Sequence, residues 1–375
     1  MVVIAVVLVT AGGGGDSGKD RPQRARPPES VDLAARIDEF THQVIRHSAF
    51  RPPTALERRA VADGVGLYLD GRRTEAARRL AEVDFGVSAF TDSATGRPFA
   101  EIADRAREST RGWGRIYIDL PRGGGHTASG STPGASGGTS GAARPAATWS
   151  VQVPHPVADA DSEKLGVGAW RATPGGVLVM AGANRRAGEN GAADVAHRRD
   201  TVFHAVCAEL VDHRLPGIQV HGFADSTEPD YDVIVSTGRG DHGRLWGEGL
   251  AAALSRRDFE VCRVWVRRCS LEGRTNVQGR EAADAGLPFL HVEFSRTVRA
   301  SPARIARAVQ AIGEAAGLAG RAVRAGAAAV PDVSASAPVV AAGGPVVPAR
   351  IARGPQDRLV AGPGAGHDGP GPDHA

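Results

Sequence analysis

The chain has 375 residues, room for one large domain or two ordinary ones, and its apolar share of 42% supports a substantial core. A net charge of +3 without a long Lys/Arg run gives nucleic-acid binding no electrostatic support, and the pI near 9.0 reflects arginines dispersed among acids. The apolar run at residues 2–11 is too short to cross a bilayer, which argues against stable membrane insertion.

That run has the length of a signal-peptide hydrophobic region, yet no basic residue follows Met1 and no small-x-small cleavage site is clear after the run. Gly13 stands where a lipoprotein signal would carry its cysteine, so lipidation there is chemically impossible. Export through a degenerate signal, a cytoplasmic location and a misassigned Met1 all stay open. Residues 1–29 read as an apolar segment and a linker.

Residues 30–82 read as a helical amino-terminal region. Val31, Leu33, Ile37, Phe40 and Val44 recur at near-helical spacing after Ser30, a suitable cap, and Thr54 with Glu57 forms a capping-box pattern before a second helix. A third helix is expected over 74–80, after the break at Asp70-Gly71.

Residues 83–316 read as an α/β catalytic domain. Segments 83–90 and 114–120 alternate as strands do, with a turn at 95–98 between them. Residues 123–147, rich in Gly, Ser, Thr and Pro, predict a flexible insertion between two neighbouring strands. Strands are then expected at 151–153, 177–180, 218–220, 233–235, 259–266 and 290–294, and helices at 162–170, 193–213, 245–256 and 302–316. Such alternation predicts an α/β fold: a mostly parallel mixed sheet with helices on both faces, preceded by a small helical region. Residues 317–375, rich in Ala, Gly and Pro, read as a largely disordered tail.

Of the three cysteines, Cys207 falls in a helical pattern and reads as a small buried residue. On one continuous strand Cys262 and Cys269 would lie roughly 23 Å apart, so pairing requires a turn near Arg267-Arg268. The redox state stays open, as does the oligomeric state.

Three segments deliver metal-competent side chains at strand ends. His155 follows the first and is trailed by Asp159, Asp161 and Glu163. Zinc hydrolases commonly use two imidazoles and one carboxylate, although Asp161 and Glu163 also suit a helix start. His221 ends the second segment, followed by Gly222 and by Asp225, which could orient the imidazole. The third carries His291 and Glu293 on one strand face with Arg296 beyond; a buried Glu293–Arg296 pair of structural value only is the plain alternative. Asp194 and His197 fall on one face of the helix expected there.

Together these pieces resemble the zinc carboxypeptidase-like superfamily, near the phage-type poly-γ-glutamate hydrolases and the N-formylglutamate amidohydrolases. The resemblance covers residues 148–316. It matches the opening His with a nearby acid to His155 with Asp159 or Glu163, the later His-Gly strand end to His221-Gly222, and the Glu-x-x-Arg strand end to Glu293-Phe294-Ser295-Arg296. Asn184-Arg185 is similar to the family's carboxylate-holding pair, and Asn276 to an Asn/Gly segment upstream of the glutamate strand. The first acid departs from His-x-x-Glu spacing.

The resemblance implies a phosphorylase/hydrolase-like sheet and Zn2+ held by His155, Asp159 and His221, with Glu163 as the alternative ligand. It further implies Glu293 and Arg296 as catalytic residues and Asn184, Arg185 and Asn276 as substrate-binding residues. The implied activity is hydrolysis of an amide or peptide bond in a small acidic substrate, glutamyl-type or cell-wall-type. A catalytically inactive relative acting as a binding module is the alternative. A serine hydrolase lacks support, since no expected strand ends in a Gly-x-Ser-x-Gly elbow.

Overall fold

The computed structural model describes residues 28–46, 49–105, 111–121 and 147–328. The amino-terminal apolar run, nearly all of the linker after it, almost the whole expected insertion and the tail beyond 328 lie outside the described residues.

In chain order the elements are β1 (Glu29–Val31), α1 (Leu33–Arg46), α2 (Ala55–Leu69), α3 (Arg73–Ala81), β2 (Phe85–Asp92), β3 (Pro98–Asp104) and β4 (Arg115–Asp119). The second half adds β5 (Trp149–Val153), α4 (Ser162–Ala172), β6 (Gly176–Met180), α5 (Val202–Asp212), β7 (Gly217–Phe223) and β8 (Val233–Ser236). It closes with α6 (Arg244–Ser255), β9 (Val261–Arg263), α7 (Val277–Asp284), β10 (Phe289–Ser295), α8 (Arg296–Arg299) and α9 (Pro302–Ala328).

All ten strands join one sheet in the order β1-β2-β3-β4-β6-β5-β7-β10-β8-β9. Five pairings are parallel: β1 with β2, β5 with β6, β5 with β7, β7 with β10 and β8 with β9. The other four are antiparallel, so the expected mixed, mostly parallel α/β sheet is present.

The two faces carry separate cores because successive strand residues point to opposite sides. On one face Val151, Val153, Ile218, Val220, Leu290, Val292 and Phe294 pack under α1, α4, α6 and α9. On the other, Ile116, Ile118, Val177 and Val179 pack under α2, α3 and α5. Between these apolar patches, the same second face of β5, β7 and β10 carries Gln152, Gln219, His221, His291 and Glu293, all buried.

Helix α1 buries the expected stripe of Leu33, Ile37, Phe40 and Val44 in the core it shares with α4, while β1 pairs with β2. Its cap is Asp32 and not Ser30: Asp32 Oδ1 accepts from Ala34 N at 2.9 Å, and Ser30 belongs to β1. At α2 the capping box forms, with Thr54 Oγ1 accepting from Glu57 N at 3.2 Å and Glu57 accepting from Thr54 N at 2.8 Å.

Five expectations need correction. The strands flanking residues 123–147 are not neighbours, because β6 inserts between β4 and β5. Strand β3 was not anticipated; its buried Glu101 breaks the apolar signal and is met by Arg36 at 2.6 Å, a partner 65 residues away. Helix α5 starts at Val202, since residues 192–200 are held in turns by contacts from elsewhere, among them Val277 N to Ala196 O at 2.9 Å. Strand β9 is short because the chain turns at 264–266, which joins Cys262 to Cys269 in a disulfide with Cα atoms 6.3 Å apart. Helix α9 runs past the expected end at 316, to Ala328.

Candidate metal centre

His155 lies just beyond β5, and the turn after it returns Asp159 beneath the imidazole, with Asp159 N donating to His155 O at 2.9 Å. His221 sits near the end of β7. One oxygen, Asp159 Oδ2, stands 3.4 Å from His155 Nδ1 and 3.3 Å from His221 Nδ1. The three potential ligand atoms lie within 4.8 Å of one another, and all three residues are buried.

Each imidazole is held from behind. His155 Nε2 meets Asp194 Oδ1 at 2.9 Å, and His221 Nε2 meets Gln219 Oε1 at 2.7 Å. A ring that donates through Nε2 presents a lone pair at Nδ1. Two such lone pairs therefore face the same carboxylate oxygen, and among the described residues His155 Nδ1 is buried without a hydrogen-bond partner. A cation at their common point would satisfy all three groups. The donor set, two imidazoles and one carboxylate, fits a zinc ion with an open position.

The electrostatics set which proton a cation must displace. Burial opposes charge on His155, but the carboxylates of Asp159 and Asp194 outweigh it and raise its pKa. Burial would likewise neutralise Asp159, yet His155 and His221 hold its carboxyl well below the usual range. His221 is lowered to about 4 by burial and by its neighbour His291.

Arg299 fixes the loop that carries Asp159. Its buried guanidinium donates to Phe294 O at 3.0 Å, to Phe223 O at 2.9 Å and to Ala160 O, tying that loop to the ends of β10 and β7. Gly222 makes this possible, since a Cβ there would overlap the guanidinium.

Glu293 is 6% exposed and shares its face with His221. Its Oε1 accepts from His291 Nε2 at 3.1 Å, while Oε2 is buried without a partner among the described residues. The His291 ring packs against His221 at 4.5 Å between centroids. Arg296 does not pair with Glu293; it donates to Asp161 Oδ2 at 2.7 Å and to Ala160 O at 3.1 Å. Together with Lys164, Arg299 and Asp161 it lines a cavity of about 430 Å3 between α4 and α9.

The other expected residues are placed differently. Glu163 is buried at the start of α4, and the charges acting on it are Asp161, Lys164 and Asp38, none of them in the His155 group. Arg185 is engaged by Asp194 at 2.8 Å, and Asn184 Oδ1 accepts from Arg186 N at 3.0 Å within its own turn. Asn276 is 2% exposed and caps α7. Asp225 accepts from Thr297 N and Oγ1, both at 2.9 Å, so Gln219 and not Asp225 meets the His221 ring. Asp194 and His197 are not on a helix, but Asp194 reaches the site through His155 and also holds His197 Nδ1 at 3.2 Å. The contributions of Asp194, Gln219 and His291 were missed or left unassigned. For Gln219 and His291 the available signal is the placement of polar residues at every second position of otherwise apolar strands; Asp194 lies on no strand.

No protein-family model matches the chain, and no curated protein matches it. Solved structures similar to it include N-formylglutamate amidohydrolase from Ralstonia eutropha JMP134, 12% identical over 48% of this chain and 95% of that one, with a TM-score of 0.33. A metallo-carboxypeptidase from Pseudomonas aeruginosa is 15% identical over 67% and 69% of the two chains, with a TM-score of 0.35. The cell shape determinant protein Csd4 from Helicobacter pylori is 10% identical over 49% and 56%, with a TM-score of 0.33. Likeness of that degree assigns no activity to this chain.

Proposed function

We propose that this chain is a zinc-dependent hydrolase of an amide or peptide bond in a small acidic substrate, glutamyl-type or cell-wall-type. The observation that carries this reading is the convergence of His155 Nδ1, His221 Nδ1 and Asp159 Oδ2, buried, with His155 Nδ1 making no hydrogen bond among the described residues. A zinc ion held by these three residues supplies Lewis-acid polarisation of an amide carbonyl and makes water acidic near neutral pH.

The chain's own residues do the rest. Glu293 takes the water proton on Oε2, the oxygen left open when His291 holds Oε1, and returns it to the leaving amine nitrogen. Asp194 and Gln219 keep both imidazoles in the orientation that turns Nδ1 inward. Arg296, just beyond β10 and bonded to Ala160 O next to Asp159, binds the substrate carboxylate, a task suited to a planar guanidinium.

Elemental analysis of purified protein, followed by assay on glutamyl amides and cell-wall peptides before and after chelation, tests the reading. One equivalent of zinc and chelator-sensitive hydrolysis are expected. A metal-free protein with undiminished hydrolysis, or one that takes up no zinc when it is supplied, would sink it.

A further inference from the structure

A chain of buried side-chain amides runs behind His221, and its direction is fixed at two backbone anchors. Asn276 Oδ1 accepts from Gly279 N at 3.0 Å, so its Nδ2 is the end turned toward Gln219 Oε1. Gln278 Nε2 donates to Val195 O at 2.8 Å, so its Oε1 is the end that faces Gln219 Nε2, at 3.2 Å. Gln219 Nε2 also donates to Gln152 Oε1 at 3.0 Å. A backbone N–H can only donate and a carbonyl can only accept, so neither anchor tolerates a flipped amide. Both anchors give Gln219 the same orientation, with Oε1 toward His221 Nε2 at 2.7 Å.

An amide oxygen carries no hydrogen, so the imidazole nitrogen opposite it must supply one. All four amides are buried, at 3% exposure or less, where an unmatched polar contact costs about 1–3 kcal/mol and water is not at hand to repair it. We infer that Gln219 is a positioning residue which holds His221 in its Nε2–H tautomer and thereby aims the Nδ1 lone pair at the point shared with His155 and Asp159. The purpose of this device rests on the metal reading above; the tautomer itself does not. Val195 and Gly279 lie far from β7 in sequence, so the state of one ring is set by α7 and by the turns before α5.

The test uses the full chain, 15N-labelled at histidine and stripped of metal. Long-range 1H–15N spectra at neutral pH should show a protonated Nε2 and an unprotonated Nδ1 for His221; the reverse pattern would overturn the inference. Gln219→Met removes the acceptor and should convert this pattern to a mixture, while Zn2+ affinity, titrated with the metal alone, falls by about 10–100-fold. Gln219→Glu keeps an acceptor and should restore the wild-type ring pattern. A folded Gln219→Met protein with unchanged spectrum and affinity would remove the assigned role. Should that variant not fold, the wild-type spectrum decides. A wild type with the expected tautomer that takes up no Zn2+ overturns the metal reading and supports the tautomer assignment; one that binds Zn2+ through the opposite tautomer overturns the assignment alone.

Discussion

Glu293 stands directly across from His221 in the parallel register of β10 and β7, so the backbone places a carboxyl and an imidazole side by side on one sheet face. The nearest ring to that carboxyl belongs to His291, two residues earlier on the same strand, which binds one oxygen and leaves the other open. Gly273 closes over His291 so tightly that a Cβ would overlap the ring. This arrangement suits a carboxyl that acts on something beside His221 better than one that neutralises an arginine.

Glu293→Gln should therefore lower kcat by roughly 10²-fold or more, the usual scale of general acid–base catalysis, while zinc content stays at the wild-type level. Arg296 has Asp161 as its partner, so the unfolding curve should move little. Had the two formed a buried pair, the loss would be about 3 kcal/mol or more. A stable, zinc-loaded and fully active variant would refute the role given to Glu293.

Zinc affinity should fall with falling pH, because the metal competes with the proton that the raised pKa favours on His155. The contribution of His155 to the stability of the metal-free protein follows the opposite sense. A histidine whose pKa rises on folding contributes stability below its unfolded value, and that contribution fades as pH climbs through the folded one. Adding zinc at a hundred times its Kd should raise stability by about 2.7 kcal/mol. Calorimetric scans with and without zinc between pH 5 and 9, a range chosen around the ordinary histidine value of about 6.5, would detect both trends; equal curves at every pH would argue against a cation site at His155.

Glu163 offers a separate measurement that decides its place as alternative ligand. Burial raises its pKa to about 7 from 4.5, so ionisation opposes folding above the unfolded value, and the penalty is complete once pH exceeds the folded one. That gap corresponds to on the order of 3 kcal/mol. Glu163→Gln should raise the melting temperature at pH 8, do little near pH 4, and leave zinc content intact. Loss of zinc in this variant would move Glu163 into the metal site.

Much of the site was legible because its parts are local. His155, His221 and Glu293 each lie at or near the end of a short Val/Ile/Leu run, which is how a buried strand reads, and such ends gather at one edge of an α/β sheet. What was not legible is nonlocal. Residues 193–200 have helix-forming composition, yet His155 claims Asp194 while Gln278 and Val277 claim the carbonyls of Val195 and Ala196, so tertiary contacts override propensity. The same holds for Glu101, whose partners Arg36 and Arg115 come from other elements. Gln219 looked like a polar interruption in a strand, and only the meeting of β5, β7 and α7 reveals what its amide bonds to.

The disulfide between Cys262 and Cys269 bears on this site from a distance. It closes a short loop, with a sequence separation of 7, for which chain entropy alone gives about 2.5 kcal/mol of stabilisation. The segment after it packs back on the sheet: Ser236 Oγ donates to Glu272 O at 2.6 Å, Gly273 covers His291, and Asn276 reaches Gln219. Replacing both cysteines by serine should lower stability by about that amount and raise amide exchange over residues 264–276, while β7 and β10 keep their protection. Zinc affinity should weaken as well, since the Asn276 anchor of Gln219 loosens with the segment. Hydrogen-exchange mass spectrometry of the double variant beside the wild type measures this directly, and identical exchange over 264–276 would show that the turn holds its place without the bond.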